Sequence, residues 1–367
     1  MIIGVPKEVK PDEYRVAILL AGVELLVADG HTILIEQAAG LGSGFHDQAY
    51  LTAGAKILNT PEQVYTGAEL IVKVKEPQPQ EISRLRAGQT VFCFFHFAGC
   101  RQLTTACLQA EITAVAYETL TDANGRLPLL TPMSEIAGRM AVQQGAKYLE
   151  KPMLGRGVLL GGVPGVKPAN VLILGAGIVG SNAARMAAGL GANVTIMDID
   201  LDRLRYLDEV MPANVTTLYC DPHAVEQAVI EADLVIGAVL IPGGKAPVLI
   251  SRPLVARMKP GSVIVDVSID QGGCIETAKP TTHHEPTFVI DGVVHYCVAN
   301  MPGAVSITAS QALCNATLPF VRELARLGLD AFAAADPGHA AAINMRNGKI
   351  TNPAVSKTFP DLPARSL

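Results

Sequence analysis

Apolar positions along the chain fall into two successive alternations of short β-rich runs with longer mixed segments. In the first third, MIIGVPKE, HTILIEQ, ELIVKVKEP, TVFCFFHF and EITAVAYE predict strands. LAGVELLVADG, which closes on a glycine, and RQLTTACLQA predict the helices between them. LLTPMSEIAGRMAVQQGAKYLEK predicts a long connecting helix with Thr131 at its N-cap, Pro132 in its first turn, and Lys147 and Lys151 at its C-terminal end. From Lys167 the alternation resumes with NVLILGAG, NVTIMDID, TTLYC, ADLVIGAVL and SVIVDVSID, continuous apolar runs of the kind expected for strands covered on both faces. HYCVANMPGAVSITASQALCNATLPFVRELARLG ends that sheet and starts another long helix, and helices are expected around AAADPGHAAAINMRNG. Strand–helix alternation implies an α/β protein of two domains, each a mainly parallel sheet with helices on both faces. The boundaries read as 1–130 plus 306–367 for one domain and 131–305 for the other, the last helices returning to the first because termini tend to lie close together.

Composition agrees and removes several function classes. A length of 367 residues exceeds what one hydrophobic core supports. Hydrophobic residues make up 49%, which suits buried parallel sheets and subunit contacts, and no uninterrupted apolar run approaches the ~18 residues of a membrane span. With 29 basic against 34 acidic residues, a net charge of −5 and no Lys/Arg block, nucleic acid and anionic membranes are not expected partners. Seven scattered cysteines without a CxxC indicate neither a metal site nor a disulfide framework. MIIGVPKEVK lacks the features of a signal peptide, so a reduced cytoplasmic location is expected.

The strongest local signal is VLILGAGIVGSNAARMAAGLGANVTIMDID. A strand runs into Gly175, Gly177 and Gly180, a helix rich in small residues follows, and a second strand ends on Asp198. Gly175 suits a tight turn, Gly177 a close backbone approach to a pyrophosphate, and Gly180 close packing of helix on sheet. Asp198, about twenty residues on, is placed to accept hydrogen bonds from an adenosine ribose. A bare glycine turn leaves that acid unexplained. A 2′-phosphate beside Asp198 meets like-charge repulsion, so NAD is expected rather than NADP, with Arg203 the one nearby cation that bears on the choice.

Polar residues at strand ends are the candidates for chemistry, because ligands of open α/β sheets bind at the carboxyl edge. His96 follows VFCFF. Lys75 ends IVKVK, with Lys73 two positions earlier on the same face. Asp270 ends VIVDVSID, with Asp266 and Ser268 on its face by period-two alternation. Arg15 lies in KPDEYRVAI. Each also has a structural reading: the lysines as charges blunting an edge strand, His96 as a core histidine, Asp270 as a turn cap and Arg15 as a surface ion pair.

Taken together, these residues and the long motifs GVPKEVK, EYRVAI, GSGF, KVKEP, PMSEIAGRMA, GGVPGV, MKPGSVIVDVSIDQGG, HYCVANMPGAV and ALCNATLPFV make nearly the full length resemble the L-alanine dehydrogenase family. The resemblance implies the reversible conversion of L-alanine, NAD and water to pyruvate, ammonium and NADH. It implies that Arg15 and Lys75 bind the substrate carboxylate and carbonyl, and that His96 and Asp270 transfer protons. Asp198 becomes the ribose ligand, Asn300 and Met301 border the nicotinamide, and Met133 and Ser134 belong to the segment crossing near the cofactor. A homo-oligomer, by resemblance a hexamer, is implied as well. The chemistry fits: arginine gives a small carboxylate a bidentate contact, a lysine stabilises charge developing on oxygen, and an imidazole or a carboxylate raised by burial moves protons between amine, water and iminium.

The sequence departs from the family in three places. RVAILLAGV replaces an RVA followed by Thr-Pro. SITASQA follows MPGAV where Pro, a basic residue and Thr-Ser-Thr are usual, which puts Ile307 at a cation's position. Phe94 stands where a Tyr is frequent. Three competing functions follow: a soluble NAD-binding component like that of proton-translocating transhydrogenase, a dehydrogenase for another small substrate such as glyoxylate or glycine, and a catalytically silent NAD-binding scaffold. Retention of His96 in FHFA and Asp270 in IDQGG argues against the transhydrogenase component.

Overall fold

Fifteen strands occur among the described residues, which are 1–239 and 246–365 of a computed structural model; eleven are the expected apolar runs, and Lys56–Leu58, Thr287–Ile290, Ile343–Arg346 and Lys349–Ile350 are additional. The first six are β1 (Ile2–Val5), β2 (Thr32–Glu36), β3 (Lys56–Leu58), β4 (Leu70–Val72), β5 (Thr90–Cys93) and β6 (Thr113–Ala116). Seven follow: β7 (Asn170–Leu174), β8 (Asn193–Asp198), β9 (Val215–Tyr219), β10 (Leu234–Gly237), β11 (Val263–Asp266), β12 (Thr287–Ile290) and β13 (Val293–Tyr296). The last two are β14 (Ile343–Arg346) and β15 (Lys349–Ile350). Residues 240–245, which begin at the last residue of ADLVIGAVL, lie outside the described residues.

The chain divides into two units, Met1–Met133 with Gly303–Leu367, and Ser134–Pro302. In the first, eight strands are ordered β15-β14-β6-β5-β4-β1-β2-β3, with β1 to β6 mutually parallel and β14 and β15 antiparallel at one margin. Its core gathers Val64, Ile71, Val91, Phe95, Phe97 and Ala114 between the sheet and its helices. In the second, seven strands are ordered β12-β13-β11-β10-β7-β8-β9, all parallel except β12. The order reverses between β7 and β10, the switch point at which such sheets open a crevice. Central strands β4, β10, β11 and β13 are buried at every position, whereas edge strand β9 alternates between half-buried and exposed residues. That is the physical difference between a continuous apolar run and an alternating one.

Helix Ser306–Leu327 buries Ala309, Ser310, Leu313, Cys314, Thr317, Val321 and Leu324, a single stripe at three- to four-residue spacing. Four expectations change. The connecting helix starts at Thr131 itself, whose hydroxyl donates to Leu127 O at 3.0 Å, and it ends at Tyr148, so Lys147 is in its last turn and Lys151 beyond it. The helices expected through AAADPGHAAAINMRNG stop at Ala342, and INMRNGK is instead the β14–β15 hairpin. Its two-residue loop, Asn347-Gly348, has positive φ at both positions, which matches hairpin twist. Lys73 and Lys75 do not blunt an edge, because β4 lies between β1 and β5. Finally β11 ends at Asp266 and a 3-10 turn spans Val267–Gln271, so period-two alternation does not carry from Asp266 to Asp270.

Candidate active site

The glycine loop leaves β7 at Leu174 and enters helix Ile178–Gly189. Gly175 sits at φ 98°, where side chains are disfavoured, and a Cβ there would lie 2.6 Å from Ala238 O, at the end of β10. A Cβ on Gly180 would stand 1.8 Å from Gly175 O, so this position holds the helix against the turn. Gly177 differs: a Cβ there meets nothing within 4 Å among the described residues, so none of them requires its lack of a side chain. As N-cap it offers no side-chain oxygen either, and no acid lies in the first turn. The opening N–H groups of this twelve-residue helix therefore face outward with the positive end of the dipole, a cradle for a pyrophosphate.

Asp198 closes β8 beside that loop. One carboxylate oxygen accepts Ala176 N at 2.6 Å and the other accepts Asp200 N at 3.0 Å. Arg203 Nε donates to the carbonyl of the same Ala176 at 2.7 Å, and its guanidinium lies 5.3 Å from the Tyr206 ring centre. The Ala176 peptide is thus held on one side by Asp198 and on the other by Arg203. Arg203 is engaged in shaping the loop.

At the carboxyl edge of the first sheet, β1, β4, β5 and β6 are neighbours, and each delivers a titratable residue just beyond its end. Lys75 follows β4 and is half-buried. Its Nζ lies 6.0 Å from the centre of the Phe94 ring. The His96 imidazole is parallel to the same ring at 5.7 Å. The fold therefore brings Lys75 and His96 together against buried Phe94. His96 takes a left-handed backbone (φ 53°) and is exposed, not a core histidine. Glu118, beyond β6, fixes that turn by accepting His96 N at 2.6 Å and Phe95 N at 3.2 Å. Sequence reasoning missed Glu118. The visible signal was an acid closing AVAYE on the strand that pairs with β5.

Beneath Lys75 lies a buried charge cluster. Lys73 is fully buried, with Nζ 3.1 Å from Glu8 Oε2 and 2.8 Å from Glu81 Oε1, and Tyr65 OH donates to the same Glu81 oxygen at 2.7 Å. Burial favours the neutral amine, but Glu8 and Glu81 hold Lys73 well above the usual lysine range. Burial pushes Glu8 up to about 7. The other Glu8 oxygen accepts Val74 N at 2.7 Å and Lys75 N at 3.4 Å. Lys73 is thus part of the support for the Lys75 backbone.

Arg15 is 2% exposed, which removes the surface ion-pair reading. Its Nε and Nη2 bind Glu13 bidentately at 2.6 and 2.5 Å, and Nη1 points to Met133 Sδ at 3.0 Å. Glu13, two residues upstream in EYR, also went unnoticed in the sequence.

In the second unit, Asp266 is fully buried. It accepts Ser268 N and Cys274 N, each at 3.0 Å, and burial raises it to about 6. Asp270, named with His96 for proton transfer, is exposed on the turn that Asp266 fastens. Asn300 has φ 60°, and its carbonyl lies 3.4 Å from His283 Nε2. Met301 is buried and Ser134 half-buried on the first turn of helix Thr131–Tyr148. The named residues thus fall into two groups: Arg15, Lys75 and His96 on the first unit, and Ser134, the glycines, Asp198, Arg203, Asp270, Asn300 and Met301 on the second. Among the described residues no cluster of histidine, cysteine or carboxylate suits a metal ion.

Comparison with known proteins accounts for both units. Residues 4–137 match the alanine dehydrogenase/PNT N-terminal domain and residues 141–353 the alanine dehydrogenase/PNT C-terminal domain. The chain belongs to the alanine dehydrogenase/PNT family. An alanine dehydrogenase of Halomonas elongata is 54% identical over 359 residues, covering 98% of this chain and 97% of its own. A solved L-alanine dehydrogenase superimposes with a TM-score of 0.95 at 52% identity, over 98% of this chain and 99% of the other. A transhydrogenase from Sinorhizobium meliloti is more distant within the same fold, with a TM-score of 0.81 at 27% identity over 96% and 100% of the two chains. Phe94 contributes ring surface to Lys75 and His96, while Ile307 is 55% exposed.

Proposed function

We propose that the chain catalyses the NAD-dependent, reversible oxidative deamination of L-alanine to pyruvate and ammonium. The observation that carries this is Lys75 and His96 set against one aromatic ring at a sheet edge, in a chain similar over its full length to alanine dehydrogenases. The open position at Gly177, the uncapped helix and Asp198 fit the dinucleotide. The loop would hold the pyrophosphate and Asp198 the ribose hydroxyls, with Ser134, Asn300 and Met301 toward the nicotinamide. When bound, NAD supplies the acceptor for the hydride that leaves the substrate Cα.

The protein's own groups do the rest. Arg15, its guanidinium oriented by Glu13, binds the substrate carboxylate. Lys75 stabilises negative charge on the carbonyl oxygen, and on the hydroxyl oxygen of the carbinolamine. The His96 imidazole takes the proton that must leave the ammonium before hydride departs, releases it to the solvent to which the exposed residue opens, and, neutral again, deprotonates the water that attacks the iminium. Asp270 shares in these proton transfers, and Glu118 keeps the His96 backbone in its turn.

This reading has the protein in the cytoplasm as a homo-oligomer, a hexamer by resemblance. Exposed Leu154, Leu159, Val163 and Val166 give it apolar surface to bury against further copies. No helix among the described residues is long and apolar enough to cross a membrane. The test is NADH formation from L-alanine at alkaline pH, with NADP far less effective. A folded sample that turns over neither alanine, glycine nor serine contradicts the proposal.

A further inference from the structure

The segment that carries Arg15 has no strand or helix to satisfy its backbone. Residues 13–19 lie in neither, yet most of them are buried. Buried backbone groups need partners, and here side chains supply them on both sides of Arg15. Ser43 Oγ donates to Tyr14 O at 2.9 Å, and Val16 N donates to Ser310 Oγ at 3.0 Å. The two hydroxyls are themselves 2.8 Å apart and essentially without exposure. A hydroxyl has one proton, which orders the set. Val16 N–H donates to Ser310; with Ser43 donating to Tyr14 O, the nearer of its two carbonyls (Ser306 O is at 3.3 Å), the proton between the hydroxyls falls to Ser310, a relay that begins and ends on the two residues flanking Arg15.

Two further features mark this as a built arrangement. A serine inside a helix commonly bonds back to its own preceding turn, whereas Ser310, in the second turn of helix Ser306–Leu327, gives its oxygen to Val16. The loop bearing Ser43 is pressed close, since a Cβ on Gly42 would lie 2.6 Å from Tyr14 O, and Ser306 Oγ fastens Gly42 O at 2.6 Å.

We propose that Ser43 and Ser310 are positioning residues for Arg15, a hydroxyl relay that sets the place of its guanidinium and hence the affinity for carboxylate substrates. The inference rests on the assignment of Arg15 to the substrate carboxylate. Its test is steady-state kinetics in both directions on Ser310→Ala, Ser43→Ala, the double variant, Ser310→Thr and Arg15→Ala, with NADH dissociation constants from fluorescence titration. Each serine-to-alanine change should raise KM for both L-alanine and pyruvate about tenfold, the worth of one net hydrogen bond. The NADH constant should stay within about twofold. Because the hydroxyls act as one relay, the double variant should be little worse than either single one, and Ser310→Thr, which keeps the hydroxyl, should stay within about threefold of the parent. Unchanged KM values in both single variants overturn the proposal. So does an equal rise in the NADH constant, or a threonine variant as impaired as the alanine one. Arg15→Ala separates the two layers. If it leaves KM unchanged, the Arg15 assignment fails and takes the relay with it; if it raises KM while the serine variants do not, the relay alone fails. Should Ser310→Ala not fold, Ser43→Ala reads the same relay from its other end.

Discussion

Gly177 and Gly180 sit three residues apart in one loop, and the account gives them opposite consequences when each acquires a methyl group. At Gly177 the new Cβ stands roughly 1.5 Å off Cα, meets nothing within 4 Å and sits on a backbone of φ −67° that alanine adopts. The fold should be unharmed, or stabilised by about 0.4–1 kcal/mol through the unfolded chain. A pyrophosphate lying on that backbone meets the methyl directly, so NADH affinity should fall at least about tenfold. At Gly180 the Cβ starts 1.8 Å from Gly175 O, below the 3.0 Å that real Cβ contacts keep, and 3.2 Å from Ile173 Cγ2. Helix and turn must part by more than an ångström, an overpacking cost of about 1–3 kcal/mol. For a unit of this size that lowers the melting temperature by roughly 2–12 °C. Differential scanning fluorimetry and NADH fluorescence titration on the two variants separate the effects. A Gly177→Ala protein that binds NADH as tightly as the parent refutes the reasoning, because nothing among the described residues explains why that position lacks a side chain.

Three further outcomes follow from buried or half-buried charge. Lys73→Met leaves Glu8 and Glu81 facing each other without their cation, and breaking such a pair costs about 3–5 kcal/mol; an unchanged thermal melt contradicts the buried triad. Asp266 binds its proton more tightly folded (about 6) than at the ordinary value of 3.8. Its contribution therefore favours the fold below about pH 4 and is withdrawn as pH rises to about 6, by roughly 3 kcal/mol. Denaturant unfolding of the parent and of Asp266→Asn should show that difference opening between pH 4 and 6, and parallel profiles exclude it. Asp198→Ala removes the acceptor of Ala176 N and the proposed ribose ligand, so NAD affinity should drop at least about tenfold and the preference over NADP should narrow. Equal preference ratios before and after the change argue against the ribose role.

Much of this was legible in the chain. The second unit was readable because its central strands are uninterrupted apolar runs, and because a glycine loop between two of them leaves few alternatives for Gly175, Gly180 and Asp198. The first unit was harder. Lys73 and Lys75 look equivalent in IVKVK, and only the strand order shows that β4 is central, one lysine sealed between two glutamates and the other half-buried beside Phe94. Asp266 and Asp270 were misjudged for a related reason. Period two holds along a strand but not through the 3-10 turn that begins after Asp266, so burial fell on the first acid and exposure on the second. Ser43 and Ser310 act through backbone contacts made by tertiary packing that local sequence does not encode, whereas Glu118 and Glu13 were visible as an acid closing AVAYE and an acid two residues before Arg15. The Asn347-Gly348 turn was visible as a hairpin signal, but the alanine-rich stretch before it favoured helix.

The central claim is that the carboxyl edge of the first sheet moves the protons, with His96 as the group that does so. The most direct measurement compares His96→Ala with the parent for L-alanine-dependent NAD reduction, alongside NADH binding on the same samples. The account predicts turnover reduced to background with the NADH dissociation constant within about twofold of the parent. Normal turnover in that variant contradicts it.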